Sequence, residues 1–420
     1  MQDTFDSLVL YRDDSKKTLL SKARLLAEKS EEKEKADLIS GLLNFAEKTG
    51  IEGNLWHDYM AYYIAFHENP FSISCERRDI SGSIDNFAME DCRKLRKLFN
   101  IDIGETFKLS CGMTKSIEDF SAPAVEKSIA AKNVEKFAAS LKNSSCDEDF
   151  FIAVKEFYKT YGAGAPAFSK AFEVCDKDGH LKAIEGFDQV TLSDLVGYES
   201  QKVRLIKNTE AFLEGRPANN VLLFGDGGTG KSTSIRAISN MYFDRGLRLI
   251  QVYRHQMESL NPLIDSIRDR NYRFIIYMDD LSFEDFETEY KYLKAVIEGG
   301  LKPKPENVII YATSNRRHLI KETWKDRNDI EQNEDMHRSD SIEEKLSLAG
   351  RFGLQIYYGK PTVDEYHAII DSLAAKEGIE MDNDRLHALA NKWEIRHGGV
   401  SGRSARQFID YIKGTEDYRK

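Results

Sequence analysis

The sequence predicts an α/β protein: a five-stranded, mainly parallel sheet with helices on both faces, preceded by an α-helical N-terminal domain and followed by a small C-terminal helical lid. Three observations predict it. Apolar runs at Val221 to Phe224, Leu247 to Tyr253, Phe274 to Met278, Asn307 to Thr313 and Leu354 to Tyr358 alternate with stretches that suit helices, the pattern of a parallel sheet. Before residue 190 the apolar residues recur instead at helical spacing. After Pro361 three more helical patterns close the chain.

Composition bounds the possibilities. At 420 residues the chain is long enough for two or three domains of about 100–200 residues each. Hydrophobic residues make up 41% and charged residues 31%, as in a soluble globular protein, and no apolar run is long enough to span a bilayer. Met1 to Tyr11 contains Asp3 and Asp6 and lacks the basic start and apolar core of a signal peptide, so a cytoplasmic location is expected. Cys75, Cys92, Cys111, Cys146 and Cys175 are odd in number and scattered, with neither a metal-ligand spacing nor a disulfide framework. A net charge of −10 disfavours nucleic acid as the partner, although a local basic groove remains compatible with it.

Taken in order, residues 1–161 read as the helical N-terminal domain. Two helical patterns run from Lys17 to about Gly50, the second placing Ile39, Leu42, Leu43 and Ala46 on one face. Leu55 to Phe66 is dense in aromatics, and Cys92 to Phe99 and Asn133 to Leu141 are shorter candidates. In Asp149 to Tyr161 an apolar stripe of Phe150, Phe151, Val154, Phe157, Tyr158 and Tyr161 reads as core packing. Gly162 to Pro166 combines small residues with a helix breaker, so 162–189 is expected to be a linker. The core is expected over 190–360, with a helix from Ser200 to Leu213, another from Thr233 to Tyr242 and a polar one over Ser259 to Arg268. Lys321 to Lys345 holds 14 charged residues in 25, too many to bury. The lid, 361–420, is expected to contain helices at Val363 to Lys376, Asp384 to Ile395 and Arg403 to Lys413.

Chemistry concentrates after the first apolar run. Gly225-Asp226-Gly227-Gly228-Thr229-Gly230-Lys231-Ser232 fits G-x-x-x-x-G-K-[ST], between a strand and a helix that begins near Thr233. Glycines let successive backbone N–H groups point at phosphates, Lys231 reaches their outer oxygens, and the Ser232 hydroxyl is a Mg²⁺ ligand. The third run ends in Asp279-Asp280. Asp279 is placed to hold the metal through water and Asp280 to polarise an attacking water. The expected cofactors are therefore a nucleotide and Mg²⁺.

These motifs, in this order over residues 190 to 413, resemble the AAA+ ATPase superfamily. The whole chain looks closest to an uncharacterised bacterial family of AAA+ ATP-binding proteins with a helical N-terminal region. By that resemblance Val196 and Gly197, in Leu195-Val196-Gly197-Tyr198-Glu199, line the adenine pocket, and Asn315 is the polar sensor beside the γ-phosphate. Arg351, in Leu348-Ala349-Gly350-Arg351-Phe352-Gly353, is similar to the arginine finger that enters a neighbouring subunit's site. Arg403 resembles the lid's sensor arginine, with Arg406 one turn beyond as its rival. Arg316 and Arg317 are a basic pair with either a solvated or a neighbour-contacting role.

The resemblance implies an ATP-hydrolysing homo-oligomer, a hexameric ring being one form, that couples nucleotide state to remodelling of a macromolecular partner held by the N-terminal helices. Two departures qualify it. Asp280 stands where most members carry glutamate, which makes an ATP-gated adaptor or loader with slow or no hydrolysis the main alternative. Arg254 to Ser259 lacks the aromatic, apolar, glycine pattern of a threading loop, so an unfoldase is disfavoured. A small-molecule P-loop kinase is the third reading, weakened by the lid and the Arg351 motif.

Overall fold

A computed structural model of the protein describes residues 2–13, 18–29, 31–77, 82–121, 129–184, 186–282, 289–298, 304–315 and 348–415. Contacts divide the chain into two units, Met1–Ser169 and Lys170–Lys420. No described helix is long and apolar enough to cross a membrane.

The first unit is helical: α1 (Gln2–Asp6), α2 (Leu19–Lys29), α3 (Glu32–Thr49), α4 (Leu55–Phe66), α5 (Pro70–Arg77), α6 (Ser83–Phe99), α7 (Ile103–Thr106), α8 (Cys111–Glu118), α9 (Ile129–Lys142) and α10 (Asp147–Tyr161). Local sequence sets several ends. Asn54 caps α4 by accepting the His57 N–H, and Gly50 closes α3 in the left-handed conformation glycine adopts freely. The aromatic run of α4 turns Trp56, Tyr59 and Tyr63 inward, where the Trp56 indole N–H donates to the Leu98 carbonyl at 2.9 Å. From α10, Phe150, Val154, Phe157 and Tyr158 are buried while Phe151 and Tyr161 are partly so. Asp91 on α6 has no exposed surface, and its carboxylate accepts the backbone N–H groups of Val9, Leu10 and Tyr11. Such bonds make a buried charge tolerable, and here they tie the chain's start to α6.

The second unit is built on a seven-stranded sheet: β1 (Ala171–Val174), β2 (Leu181–Ala183), β3 (Val221–Gly225), β4 (Leu247–Gln251), β5 (Arg273–Met278), β6 (Val308–Ser314) and β7 (Leu354–Tyr358), ordered β2-β1-β4-β5-β6-β3-β7. Every pair is parallel except β1 with β2. This corrects the expectation of five strands. The two additional strands lie within 162–189, expected to be a linker; at four and three residues, they are too short to show as apolar runs. β1 pairs with β4, and Ala171 joins the sheet's buried core.

Helices α11 (Glu199–Leu213), α12 (Lys231–Met241), α13 (Leu260–Ile267) and α14 (Tyr290–Glu298) alternate with the strands. α12 begins two residues earlier than Thr233, and a 3-10 turn, Arg254–Ser259, precedes α13. Downstream, α15 (Val363–Lys376), α16 (Asn383–Arg396) and α17 (Gly402–Gly414) pack Tyr366, Ile370, Leu386, Ala405 and Ile409 into their own core. Val196 packs against that core. Arg316, Arg317 and the charged stretch Lys321 to Lys345 lie outside the described residues.

Candidate active site

The carboxyl ends of β3, β5 and β6 are where buried strands give way to polar residues. After Leu223 the chain passes so close to β7 that a Cβ on Gly225 would lie 2.1 Å from the Tyr358 carbonyl oxygen, and its φ of 133° requires glycine. The Asp226 N–H donates to that same carbonyl at 3.0 Å. Gly228 and Gly230 also have positive φ: a side chain on the first would strike the Cβ of Arg403, and one on the second would strike Leu195. Gly230 is the N-cap of α12 and supplies no capping side chain, an arrangement at the start of an 11-residue helix that suits an anion.

Lys231 is buried, and its Nζ donates to the carbonyls of Gly225 (3.0 Å) and Asp226 (2.6 Å) and to Asn315 Oδ1 (3.0 Å). Burial lowers its pKa, opposed by the charges of Asp226, Asp280 and Asp279. Across the loop, the hydroxyls of Ser232 (2.7 Å) and Thr313 (2.6 Å) both donate to Asp279 Oδ1. Burial pushes the Asp279 carboxyl up, but the hydroxyls of Thr313 and Ser232 and the charge of Arg236 contribute to an opposing pull that wins, and the net shift is downward. Asp280 adopts a left-handed φ of 49°, with its carboxylate accepting the Asn315 amide at 2.8 Å. Asn315 thus links Lys231 to Asp280.

These groups line a cavity of about 1050 Å³, together with Val196, Gly228, Thr229, Gly230, Thr233 and Arg403. Gly225 and Asp226 line a second cleft of about 520 Å³, which shares Asn315 and adds Phe224 and Tyr357. Gly197 and Gly227 line neither. Ser232 and Asp279 offer hard oxygen donors, which fits Mg²⁺, and the close-packed glycine loop before an uncapped helix fits a phosphate chain.

The C-terminal helices reach the site through Arg403 on α17, whose N–H donates to the Gly228 carbonyl at 3.3 Å. Arg406 lines the same cavity but is engaged in the lid itself, paired with Glu377 (2.9 Å) and Asp410 (3.3 Å). Arg351 does not line the cavity; its guanidinium pairs with Glu298 at the end of α14. Sequence reasoning missed Thr313, Arg236, Asp188, Asp194 and Lys376. For Thr313 the available signal was a hydroxyl next to a strand's polar end; the ion pairs of Arg236 with Asp188 and of Lys376 with Asp194 join residues 48 and 182 positions apart.

A family model described as "Protein of unknown function (DUF815)" matches residues 167–416, more than half of the chain. The chain belongs to DUF815. The DUF815 match opens three residues before the second unit and takes in every residue of the cavity. No curated protein matches. Among solved structures, this DUF815 protein is similar to the Thermotoga maritima RuvB Holliday junction branch migration motor at 17% identity and a TM-score of 0.37, over 53% of this chain and 64% of that chain. A point mutant of Thermotoga maritima RuvB is similar at 17% identity and a TM-score of 0.37, over 53% of this chain and 65% of that one. The matched part thus spans less than two thirds of these RuvB chains.

Proposed function

We propose that this DUF815 protein is an AAA+-type ATPase that binds ATP with Mg²⁺, hydrolyses it to ADP and phosphate, and works as a homo-oligomer in the cytoplasm. The observation that carries the reading is the convergence of Lys231, Ser232, Asp279, Asp280 and Asn315 on one cavity at the mouth of an uncapped helix. Magnesium, when bound, supplies charge to the phosphate oxygens. Ser232 and Asp279 would hold that metal with their hydroxyl and carboxylate oxygens. Lys231 and the N–H groups of 225–233 bind the phosphates, and Val196 lies against the base. Asp280 accepts a proton from the attacking water, and Asn315 orients the water and the γ-phosphate. Arg403 adds positive charge from the same chain. Arg351 is assigned to a neighbour's site, since within its own chain it sits with Glu298 rather than in the cavity.

The test is phosphate release and labelled-nucleotide binding by the full chain over a range of protein concentrations. Lys231→Ala should abolish binding, and Asp280→Asn should bind MgATP and lose turnover by about 100-fold or more. Binding that is indifferent to Lys231, or turnover that survives in Asp280→Asn, would sink the reading. Turnover that rises with protein concentration and fails in Arg351→Ala supports the oligomer.

A second reading is favoured by one observation: Asp280 is shorter than the usual glutamate and already holds Asn315. On it the protein is an ATP-gated adaptor whose N-terminal helices dock a protein partner. Asp280→Glu would then raise hydrolysis without raising partner engagement; a parallel rise in both excludes it.

A further inference from the structure

The ladder between β5 and β6 runs in register as far as Met278 opposite Ala312, so the next residues out are Asp279 and Thr313. There the contacts pass from backbone to side chain. The Asp280 N–H donates to Thr313 Oγ1 at 2.9 Å, and Thr313 Oγ1 lies 2.6 Å from Asp279 Oδ1. A backbone N–H can only donate, so the hydroxyl accepts from Asp280 and its single proton is committed to the Asp279 carboxylate. The Thr313 carbonyl in turn accepts the Leu281 N–H at 2.7 Å. One residue, 2% exposed, therefore engages three successive residues at the acidic end of β5.

We propose that Thr313 is a positioning residue that sets both carboxylates: it aims Asp279 at the divalent cation and holds Asp280 in the left-handed turn that presents its carboxylate to Asn315. The proposal rests on the ATPase reading above. Two geometric facts support it beyond burial. Asp280 is one of three described non-glycine residues with positive φ, and a side chain held in that sparsely populated region needs its surroundings to keep it there. The hydroxyls of Ser232 and Thr313 converge on the same oxygen of Asp279, so loss of Thr313 removes one of the two hydroxyls that hold it. Thr313 itself lines the cavity wall. The residues that orient a metal's ligands commonly matter about 10- to 100-fold in metal affinity or activity when removed.

The variants are Thr313→Val, which keeps the shape and removes the hydroxyl, and Thr313→Ser, which keeps the hydroxyl. Binding of a fluorescent ATP analogue to the full chain is titrated with MgCl₂ and, separately, measured in EDTA, alongside thermal melting and turnover. The expected result is a Mg²⁺ half-saturation raised about tenfold in Thr313→Val with metal-free nucleotide affinity unchanged, a similar loss of turnover, and recovery of both in Thr313→Ser. A merely structural threonine would lower the melting temperature without moving the Mg²⁺ titration, and that outcome overturns the proposal. So does a serine variant that behaves like valine. If Thr313→Val does not fold, Thr313→Ser decides by itself, since a Mg²⁺ half-saturation raised as far as about tenfold in a folded, hydroxyl-bearing variant contradicts the hydroxyl's role. Wild-type protein that binds no nucleotide at all sinks the ATPase reading first, and is distinguished by a flat wild-type titration.

Discussion

A methyl group added to Gly225 would sit 2.1 Å from the Tyr358 carbonyl oxygen, a backbone atom of the sheet, whereas one added to Gly227 meets nothing within 4 Å. Gly225→Ala is therefore expected to cost at least about 3 kcal/mol, from positive-φ strain together with a forced shift of β3 against β7, and Gly227→Ala no more than about 0.5 kcal/mol. Denaturant unfolding of the two variants checks this, and equal losses would contradict it. The loop was legible in the sequence because its glycines have fixed spacing, but which glycine is compelled depends on Tyr358, 133 positions away. Thr313 was hidden for the same reason, since its role arises only where β5 and β6 lie side by side. A second residue, His57, stacks on Phe99 with ring centroids 4.3 Å apart, and burial, then the charge of Lys142, lowers its pKa from 6.5 to about 4. The folded form thus resists a proton that the unfolded chain accepts below about pH 6.5. Stability from this group is complete above that pH and is lost as pH falls from about 6.5 towards 4. His57→Phe should retain the stacking and show a smaller stability loss between about pH 7 and 5; parallel pH profiles for the two proteins would refute the assignment.

Strands β3 to β7 were legible as apolar runs because a sheet buried on both sides excludes polar residues, as Val221 to Leu223 and Phe274 to Met278 show. The hairpin β1–β2 was not, because an edge pair tolerates charge: Glu173 faces Lys182 across it in register and as an ion pair. The three C-terminal helices were legible as helical patterns, yet nothing in them announces how they are held against the sheet unit. At the end of α15, Lys376 pairs at 2.6 Å with Asp194, and both line the large cavity. Asp194 is fixed on the core side by the Thr191 N–H and hydroxyl, and the Lys376 bond, first, with these holds its pKa down at about 2. A depressed carboxylate contributes above its unfolded value near about 4 and loses that contribution only as pH falls towards about 2. At neutral pH the lid contact should therefore respond to salt and not to pH. Because the lysine is 59% exposed, the pair ranks with surface ion pairs of about 0.2–1 kcal/mol. Lys376→Met should then speed nucleotide release by about two- to fivefold and remove its salt dependence. Stopped-flow displacement of a labelled nucleotide measures both, and an unchanged release rate would show that the pair does not hold the lid.

At the scale of the molecule, the family match from residue 167 and the contact boundary at 169/170 fall almost together, although the sequence pattern places the core's start at 190. The difference is physical. Leu249 donates its N–H to the Lys170 carbonyl, β1 covers the edge of β4, and Ala171 and Phe172 are buried. A fragment 190–420 would lose β1 and β2 and leave β4 as a bare, apolar edge, the kind of strand that pairs with other chains. A fragment 170–420 keeps that edge covered and retains every residue of the large cavity, which spans Asp188 to Gln407. It should fold cooperatively, remain monodisperse and bind MgATP within about threefold of the full chain, a difference of about 0.7 kcal/mol. The 190–420 fragment should be less stable by several kcal/mol, since it surrenders buried apolar residues as well as edge hydrogen bonds, and should aggregate as concentration rises. The complementary fragment 1–169, whose apolar core runs from Phe5 to Ala163, should fold as a separate helical unit with its own melting transition and no nucleotide affinity. Size-exclusion chromatography with light scattering, calorimetry and nucleotide titration of the three fragments make the comparison. Equal stability of 170–420 and 190–420 would mean that the hairpin contributes nothing to the sheet, and loss of nucleotide binding by 170–420 would mean that the first unit is needed to complete the site.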